Sequence, residues 1–171
     1  MRGIAIVLGA ALVVVQPYPA AAQQPNADFS VSGTSTIRGW TCSAKGVIAA
    51  TGAQTATVTV QVKSFVCPND EMTQHLLETM KADKFPEIVY RLEKYDAAGA
   101  QTQATGTMTI NGVTQPMAFP VAMKESAQGV LVEGNTRLDM TKFGVDPPVV
   151  MLGMLKVGPQ IRIQFKGTVA R

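Results

Sequence analysis

The sequence has little of the chemistry that catalytic and metal sites require. Among 171 residues there are one histidine, His75, and two cysteines, Cys42 and Cys67. A zinc or haem site needs more imidazole or thiolate ligands than these. A Ser-His-Asp or Cys-His mechanism would depend on His75 alone, with no nucleophile-elbow motif to support it. We therefore predict no catalysis, no metal and no cofactor, and we interpret His75 as a solvent-facing helix residue.

Runs of like charge are missing as well. The formal net charge is +3, and it falls to +2 when Arg2 is removed with the leader described below. Nucleic-acid-binding proteins concentrate positive charge to neutralise phosphates, so this balance predicts no nucleic-acid partner. It also gives no basic patch for a membrane surface.

The longest apolar run lies near the first residue. Residues 4–15 (IAIVLGAALVVV) follow Arg2, and residues 20–22 are three alanines. The run has the length of a signal-peptide core and is short for a bilayer span. The sequence predicts a signal peptide over residues 1–22, cleaved after Ala22, and an exported domain over residues 23–171. An uncleaved membrane anchor is the alternative.

The two cysteines form an even pair in a chain predicted to be exported, which favours a disulfide between Cys42 and Cys67. Such a bond would stabilise the fold by roughly 3–4 kcal/mol through the chain entropy of the unfolded state. A metal or redox pair is the alternative. The lack of a Cys-x-x-Cys spacing and the single histidine disfavour it.

Alternation of apolar and polar residues with a period of two dominates the rest of the chain. It is clearest in residues 57–63, 117–123 and 161–166, each of which predicts a strand with one buried face. Weaker patterns predict strands over residues 29–32, 36–45, 87–94, 103–110, 130–139 and 149–156. Evenly spaced short strands joined by tight turns predict an all-β antiparallel barrel or sandwich.

Glycine and proline residues mark a turn and an irregularity in this pattern of strands. The dipeptide Asn111-Gly112 lies between two strand patterns and is a strong hairpin signal. Pro120 lies inside a strand pattern. Because proline cannot donate to the ladder, it marks an edge, a bulge or a corner.

Residues 71–81 break the alternation. They are strong helix formers with Met72, Leu76 and Met80 at a spacing of four, which predicts one short helix. Asn69 or Asp70 is suited to cap its start.

Four blocks of sequence follow one another in a recognisable order. They are residues 29–39 (FSVSGTSTIRG), 72–88 (MTQHLLETMKADKFPEI), 104–116 (ATGTMTINGVTQP) and 138–145 (LDMTKFGV). Together they resemble the YceI-like family of periplasmic lipid- or polyisoprenoid-binding domains. The third block is the most specific, being similar to the family pattern G-x-L-T-I-x-G-V-T-x-P. Met140 departs from the commoner pattern, which has an arginine, and many members lack the cysteine pair.

The resemblance implies an eight-stranded antiparallel barrel of lipocalin-like form, with the short helix near one barrel mouth. It also implies a periplasmic location, frequent homodimer formation, and an interior that holds an isoprenoid chain or the tail of an isoprenoid quinone.

Alternation assigns inward-facing side chains, although a slip of one residue would turn a set outward. The strand methionines suit a cavity with a variable occupant, or they plug the core. Tyr90 offers its hydroxyl to a ligand head group or only reaches the barrel rim, and Trp40 packs beside the disulfide or contacts lipid at the mouth. The predicted ligand-binding residues are Val60, Val62, Ile88, Tyr90, Met108, Ile110, Phe119, Val121, Met123, Ile163 and Phe165.

The sequence therefore predicts a periplasmic binding protein or carrier for a long apolar lipid, a polyisoprenoid or an isoprenoid quinone, with transient membrane contact during transfer. One alternative is a non-catalytic interaction module with a solid core. A cavity of roughly several hundred Å³ would separate the two. A second alternative, a hydrolase or isomerase acting on a lipid, needs a buried titratable pair inside the barrel.

Signal-peptide cleavage can be tested on protein purified from a periplasmic extract. We expect amino-terminal sequencing and intact mass to show a chain that begins at Gln23, because the three alanines precede it. A chain that keeps Met1 and fractionates with membranes would instead support the uncleaved anchor.

Overall fold

The computed structural model describes residues 24, 26–96 and 102–169. The predicted signal peptide, residues 1–22, lies outside this part of the chain, so its cleavage stays a prediction. The described residues form nine strands and one α-helix. In chain order these are β1 (Ala27–Ser35), β2 (Gly39–Ala50), β3 (Ala56–Gln61), α1 (Asp70–Thr79), β4 (Glu87–Asp96), β5 (Thr102–Ile110), β6 (Val113–Ser126), β7 (Gly129–Asp139), β8 (Val149–Val150) and β9 (Leu155–Val169).

Eight of the strands close into an antiparallel barrel, which confirms the predicted fold class. From β1 to β7 each strand pairs with the next, β7 then pairs with β9, and β9 pairs with β1. The last pairing closes the ring and places Phe29 opposite Phe165. Because side chains alternate along a strand, each strand of the ring gives one row of side chains to the interior.

Residues 149–156 do not form the single strand that the sequence predicts. β8 ends at Val150, a short 3-10 turn follows, and β9 begins at Leu155. The chain reverses here because Leu152 and Gly153 have φ angles of 55° and 92°. β8 therefore forms a small hairpin with the start of β9, outside the ring.

β6 is paired on both sides along only part of its length. It pairs with β5 from Val113 to Val121, but with β7 only from Val121 to Ser126. The turn at Asn111-Gly112 is the predicted two-residue hairpin, which makes Ile110 and Val113 a hydrogen-bonded pair. Hydrogen-bonded and non-hydrogen-bonded pairs alternate along an antiparallel ladder. The backbone nitrogens of Pro116 and Pro120 therefore face away from β5. Of the three interpretations of Pro120, an edge, a bulge or a corner, the structure shows the edge.

The helix α1 lies in the connection between β3 and β4 and covers that end of the barrel. Its start is capped by Asn69, whose side chain accepts a 2.8 Å hydrogen bond from the Met72 amide. Met72 and Leu76 pack against a core cluster that contains Phe65. His75 is half-buried, neither fully exposed to solvent nor part of the core. No helix in the described part of the chain is long and apolar enough to cross a bilayer.

A 3-10 turn after β7 fills the same end. The Thr141 hydroxyl and amide donate hydrogen bonds to the Asp139 carboxylate, which caps the turn, and they lower the pKa of Asp139. The Asn111 side-chain amide donates a 2.8 Å hydrogen bond to the Gly144 carbonyl and ties the turn to the β5–β6 hairpin. Beneath these contacts lie the buried side chains of Ile110, Leu138, Met140, Phe143 and Val145.

The predicted disulfide between Cys42 and Cys67 is present. It joins β2 to the segment that leads into α1, and Cys42 is 1 % exposed. Two backbone hydrogen bonds between Ser43 and Val66, of 2.8 and 2.7 Å, hold the same segment against β2. The bond therefore fixes the covering helix to the barrel wall.

Replacing both cysteines, in the variant Cys42→Ala/Cys67→Ala, should lower the free energy of unfolding by about 3–4 kcal/mol. The cross-link closes a 25-residue separation and limits the unfolded chain. Chemical denaturation followed by circular dichroism measures the loss. A thiol reductant should lower the midpoint of the unsubstituted protein and leave that of the variant unchanged. Equal midpoints for the two proteins without reductant would contradict the expectation.

Candidate ligand-binding cavity

The barrel encloses a cavity of about 420 Å³, within the range of small-molecule sites. Its wall is built from the inward rows of the ring strands and is mostly apolar. The inward positions of β3, β4 and β5 show the pattern, with Val58 opposite Tyr90 and Tyr90 opposite Met108. The barrel interior is therefore hollow over part of its length and is not filled by side chains alone.

The cavity opens at the end of the barrel opposite α1. Its lining there includes the loop between β2 and β3, where Gly52 and Gln54 are exposed, and the end of β6, where Lys124 and Glu125 are exposed. At the other end the buried cluster around Met140 and the covering helix close the barrel. As the described residues form it, the cavity is a tunnel that is closed at the end near α1 and has a polar mouth at the other end.

Aromatic rings form the firmest part of the wall. Phe119 packs edge-on against Phe165 with ring centroids 6.0 Å apart, and Tyr90 lies 5.1 Å from Phe119. Phe29 stacks on Phe165 across the closing pair of strands at 6.0 Å. The Phe165 ring lies over Gly134, where a Cβ atom would come within 2.6 Å of it. Glycine at position 134 therefore lets this ring lie flat against the wall.

Tyr90 has its polar atom deep in this apolar wall. The residue is 6 % exposed, and its hydroxyl is buried with no hydrogen-bond partner among the described residues. Burial, with a smaller contribution from the Glu93 carboxylate, raises the pKa of Tyr90 to about 12. The hydroxyl does not reach the rim, which corrects that interpretation, and it stays neutral at physiological pH.

Nine of the eleven predicted ligand-binding residues line the cavity. They are Val60, Ile88, Tyr90, Met108, Phe119, Val121, Met123, Ile163 and Phe165. Val62 and Ile110 do not. Val62 begins a 3-10 turn after β3 and is fully buried, its amide donating to the Pro86 carbonyl. Ile110 belongs to the cluster that closes the barrel end.

Several wall residues escaped the predicted set. The alternation in β1 and β7 would have assigned four of them to the inward face. They are Phe29, Val31, Val130 and Val132, all of which line the cavity. The loop between β2 and β3 carried no such signal, because loop residues have no period that marks a face.

Two other expectations are settled by the packing. Trp40 packs against the cluster that contains the disulfide and does not line the cavity, so the interpretation of Trp40 as a packing residue is confirmed. Met108 and Met123 line the cavity, whereas Met154 is exposed at 67 %. The strand methionines therefore have different roles: some line the cavity and others do not.

The ionisable groups of the described wall are Tyr90, Tyr95, Lys124 and Glu125. Lys124 and Glu125 are exposed at the mouth, so the interior does not bring together a buried acid–base pair. In the described part of the chain no cluster of three or more metal-ligating side chains is found. What the geometry can do is take up an apolar molecule and exclude water from it.

Comparison with known proteins agrees with this architecture. The family model of the YceI-like domain matches residues 18–169. Burkholderia cenocepacia BcnA superposes with a TM-score of 0.63 at 18 % identity, over 82 % of this chain and 94 % of that chain. A polyisoprenoid-binding domain from Saccharophagus degradans, implicated in plant cell wall breakdown, gives 0.63 at 10 % identity, over 83 % and 94 %. A Campylobacter jejuni YCEI protein gives 0.60 at 17 %, over 94 % and 93 %. No curated protein matches the sequence.

The buried phenol predicts a pH dependence of stability. An exposed phenol in the unfolded chain ionises near pH 10, whereas the pKa of Tyr90 in the folded protein is about 12. The stability that the neutral phenol contributes is therefore complete below pH 10 and is lost as the pH rises through 12. Between about pH 8 and about pH 11 the protein should lose about 1 kcal/mol more unfolding free energy than the Tyr90→Phe variant. Urea unfolding at the two pH values measures this, and parallel losses in both proteins would argue against it.

Proposed function

The chain belongs to the YceI-like domain family, and on this premise we propose that it is a periplasmic binding protein or carrier for a long-chain apolar lipid. The ligand class is a polyisoprenoid or the tail of an isoprenoid quinone. The observation that carries the proposal is the apolar tunnel of about 420 Å³ inside the closed barrel. The polyisoprenoid-binding domain from Saccharophagus degradans, which shares this fold, adds support for the ligand class.

Burial of hydrocarbon is sufficient to hold such a ligand. Each methylene moved from water into an apolar site contributes roughly 0.8 kcal/mol, so a chain of several isoprene units binds with few polar contacts. The wall meets this need with valine, isoleucine and phenylalanine side chains, and with Met108, whose flexible side chain adapts to different occupants.

The proposed location rests on two features of the chain. Residues 1–22 have the pattern of a signal peptide, and the Cys42–Cys67 disulfide suits an oxidising compartment. A carrier in the periplasm would contact membranes transiently to load and release its lipid. We also propose that the protein forms a homodimer, as the family resemblance implies. We propose that the protein binds its lipid without altering it, in keeping with a wall that holds no buried acid–base pair.

The interaction module with a solid core is the weaker alternative. A solid barrel needs side chains that fill it along its whole axis, and the mouth-side half of this barrel includes small side chains that do not fill it. Ala50, Ala56 and Ala104 line the wall there, and they leave the space that a ligand would occupy.

A variant that fills the tunnel tests the proposal. Val132 lines the cavity from β7, and Leu131, next to it, is not part of the wall. Val132→Trp should reduce the lipid that co-purifies with the protein to less than about a tenth, because the indole occupies the ligand's space. Leu131→Trp should leave the lipid content unchanged, because side chains of adjacent strand residues point to opposite faces.

Native mass spectrometry and solvent extraction of protein isolated from a periplasmic extract measure the lipid, and circular dichroism checks that both variants fold. Equal lipid content in the two variants, or no lipid in the unsubstituted protein, would count against a ligand inside the barrel.

A further inference from the structure

The binding of a pure hydrocarbon leaves one polar group of the tunnel, the Tyr90 hydroxyl, without a role. A pure hydrocarbon needs no hydrogen bond, yet the Tyr90 hydroxyl lies in the wall, buried and without a partner among the described residues. Leaving such a group unsatisfied is unfavourable, because burial removes its hydrogen bonds to water and supplies none in return. A phenylalanine at this position would pack against Phe119 as well and would avoid that cost. An unpaired hydroxyl at this position is explained if an atom of the ligand accepts its hydrogen bond.

We propose that the bound lipid carries an uncharged carbonyl oxygen and that Tyr90 is the specificity-determining residue that donates a hydrogen bond to it inside the barrel. The inference rests on the proposed function and adds to it the chemical class of the ligand and its orientation.

The chemistry of the wall favours a carbonyl, which is a neutral and strong hydrogen-bond acceptor, over an anion or an alcohol. A phosphate or carboxylate placed beside Tyr90 would be a buried anion, and the cation among the described wall residues, Lys124, is exposed at the mouth. Burying an unpaired charge is far more costly than burying a neutral group. An alcohol would bring a hydroxyl hydrogen of its own that needs an acceptor. A ketone, quinone or ester carbonyl brings no donor of its own and needs only the one donor that Tyr90 supplies.

The position of Tyr90 along the barrel sets the orientation of the ligand. β4 runs from Glu87 at the closed end to Asp96 at the open end, and Tyr90 lies about 20 Å from Asp96 along the strand. Between Tyr90 and the mouth the wall offers Leu92 on the same strand and Ala104 on the next. The carbonyl end of the lipid therefore enters first, and its hydrocarbon chain extends toward the mouth.

Two probes of the same shape separate this contact from hydrocarbon burial. One is geranylgeranylacetone, an isoprenoid methyl ketone, and the other is the hydrocarbon of the same skeleton with a methylene in place of the carbonyl. Displacement of an apolar fluorescent dye from delipidated protein gives Kd for each. We expect the unsubstituted protein to bind the ketone about 5- to 10-fold more tightly than the hydrocarbon, and Tyr90→Phe to abolish this preference while still binding the hydrocarbon.

Thr107→Val is the matched control, because it also removes a hydroxyl but Thr107, next to Met108 on β5, is not part of the wall. This variant should keep the preference for the ketone. A second readout does not depend on affinity. With a carbon-13 label in the carbonyl, the infrared stretch of bound ketone should lie at lower frequency in the unsubstituted protein than in Tyr90→Phe.

The outcomes distinguish the two proposals. If both probes bind but the unsubstituted protein shows no preference, or if Tyr90→Phe keeps it, the carbonyl contact is refuted and the lipid-binding function stands. If neither probe displaces the dye, both the function and the contact are refuted. An infrared stretch that is the same in both proteins also overturns the contact.

Discussion

The pairing of β1 with β9 is the constraint on which the rest of this structure depends. It closes the sheet at eight strands, a number at which side chains can fill the interior or leave room for one small ligand. Which of these occurs is then decided locally by side-chain size. Toward the closed end the interior holds Leu138, Met140 and Phe143, which fill it. Toward the mouth Ala50, Ala56, Ala104 and Val130 line a part of the interior that stays hollow. One ring of strands therefore supplies both a packed core and a hollow.

The packed end owes its order to contacts between segments that are far apart in the chain. The disulfide fixes the α1 connection to β2, and the Asn111 side chain ties the β5–β6 hairpin to the turn that follows β7. The Phe85 ring lies over Gly112 at the tip of that hairpin, where a Cβ atom would be 2.6 Å away. Three separate connections thus meet over the same end of the barrel, and this leaves the opposite end as the way in for a ligand.

Much of this arrangement could be predicted from sequence because a strand with one wet face repeats every two residues. That period identified the ring strands and nine wall residues, including Phe119 and Phe165, since inward and outward positions follow from parity alone. It failed where the backbone leaves the extended region. Val62 continues the alternation of β3 but begins a 3-10 turn, and the positive φ of Leu152 reverses the chain inside a segment whose apolar residues favour a strand. The burial of the Tyr90 hydroxyl depends on neighbours from other strands, which no local pattern contains.

The half-paired strand β6 has a consequence for the behaviour of the protein in a crowded compartment. An unpaired strand edge is a template on which a second chain can add, which is how native β-proteins aggregate. Before Val121 only one side of β6 is paired, and the backbone nitrogens on its unpaired side belong to Thr114, Pro116, Ala118 and Pro120. The two prolines have no hydrogen to donate there. The gap in the ring can therefore persist without recruiting a foreign strand, and a dimer of this barrel would have to associate through side-chain surfaces, not through a continuous intermolecular sheet at this edge.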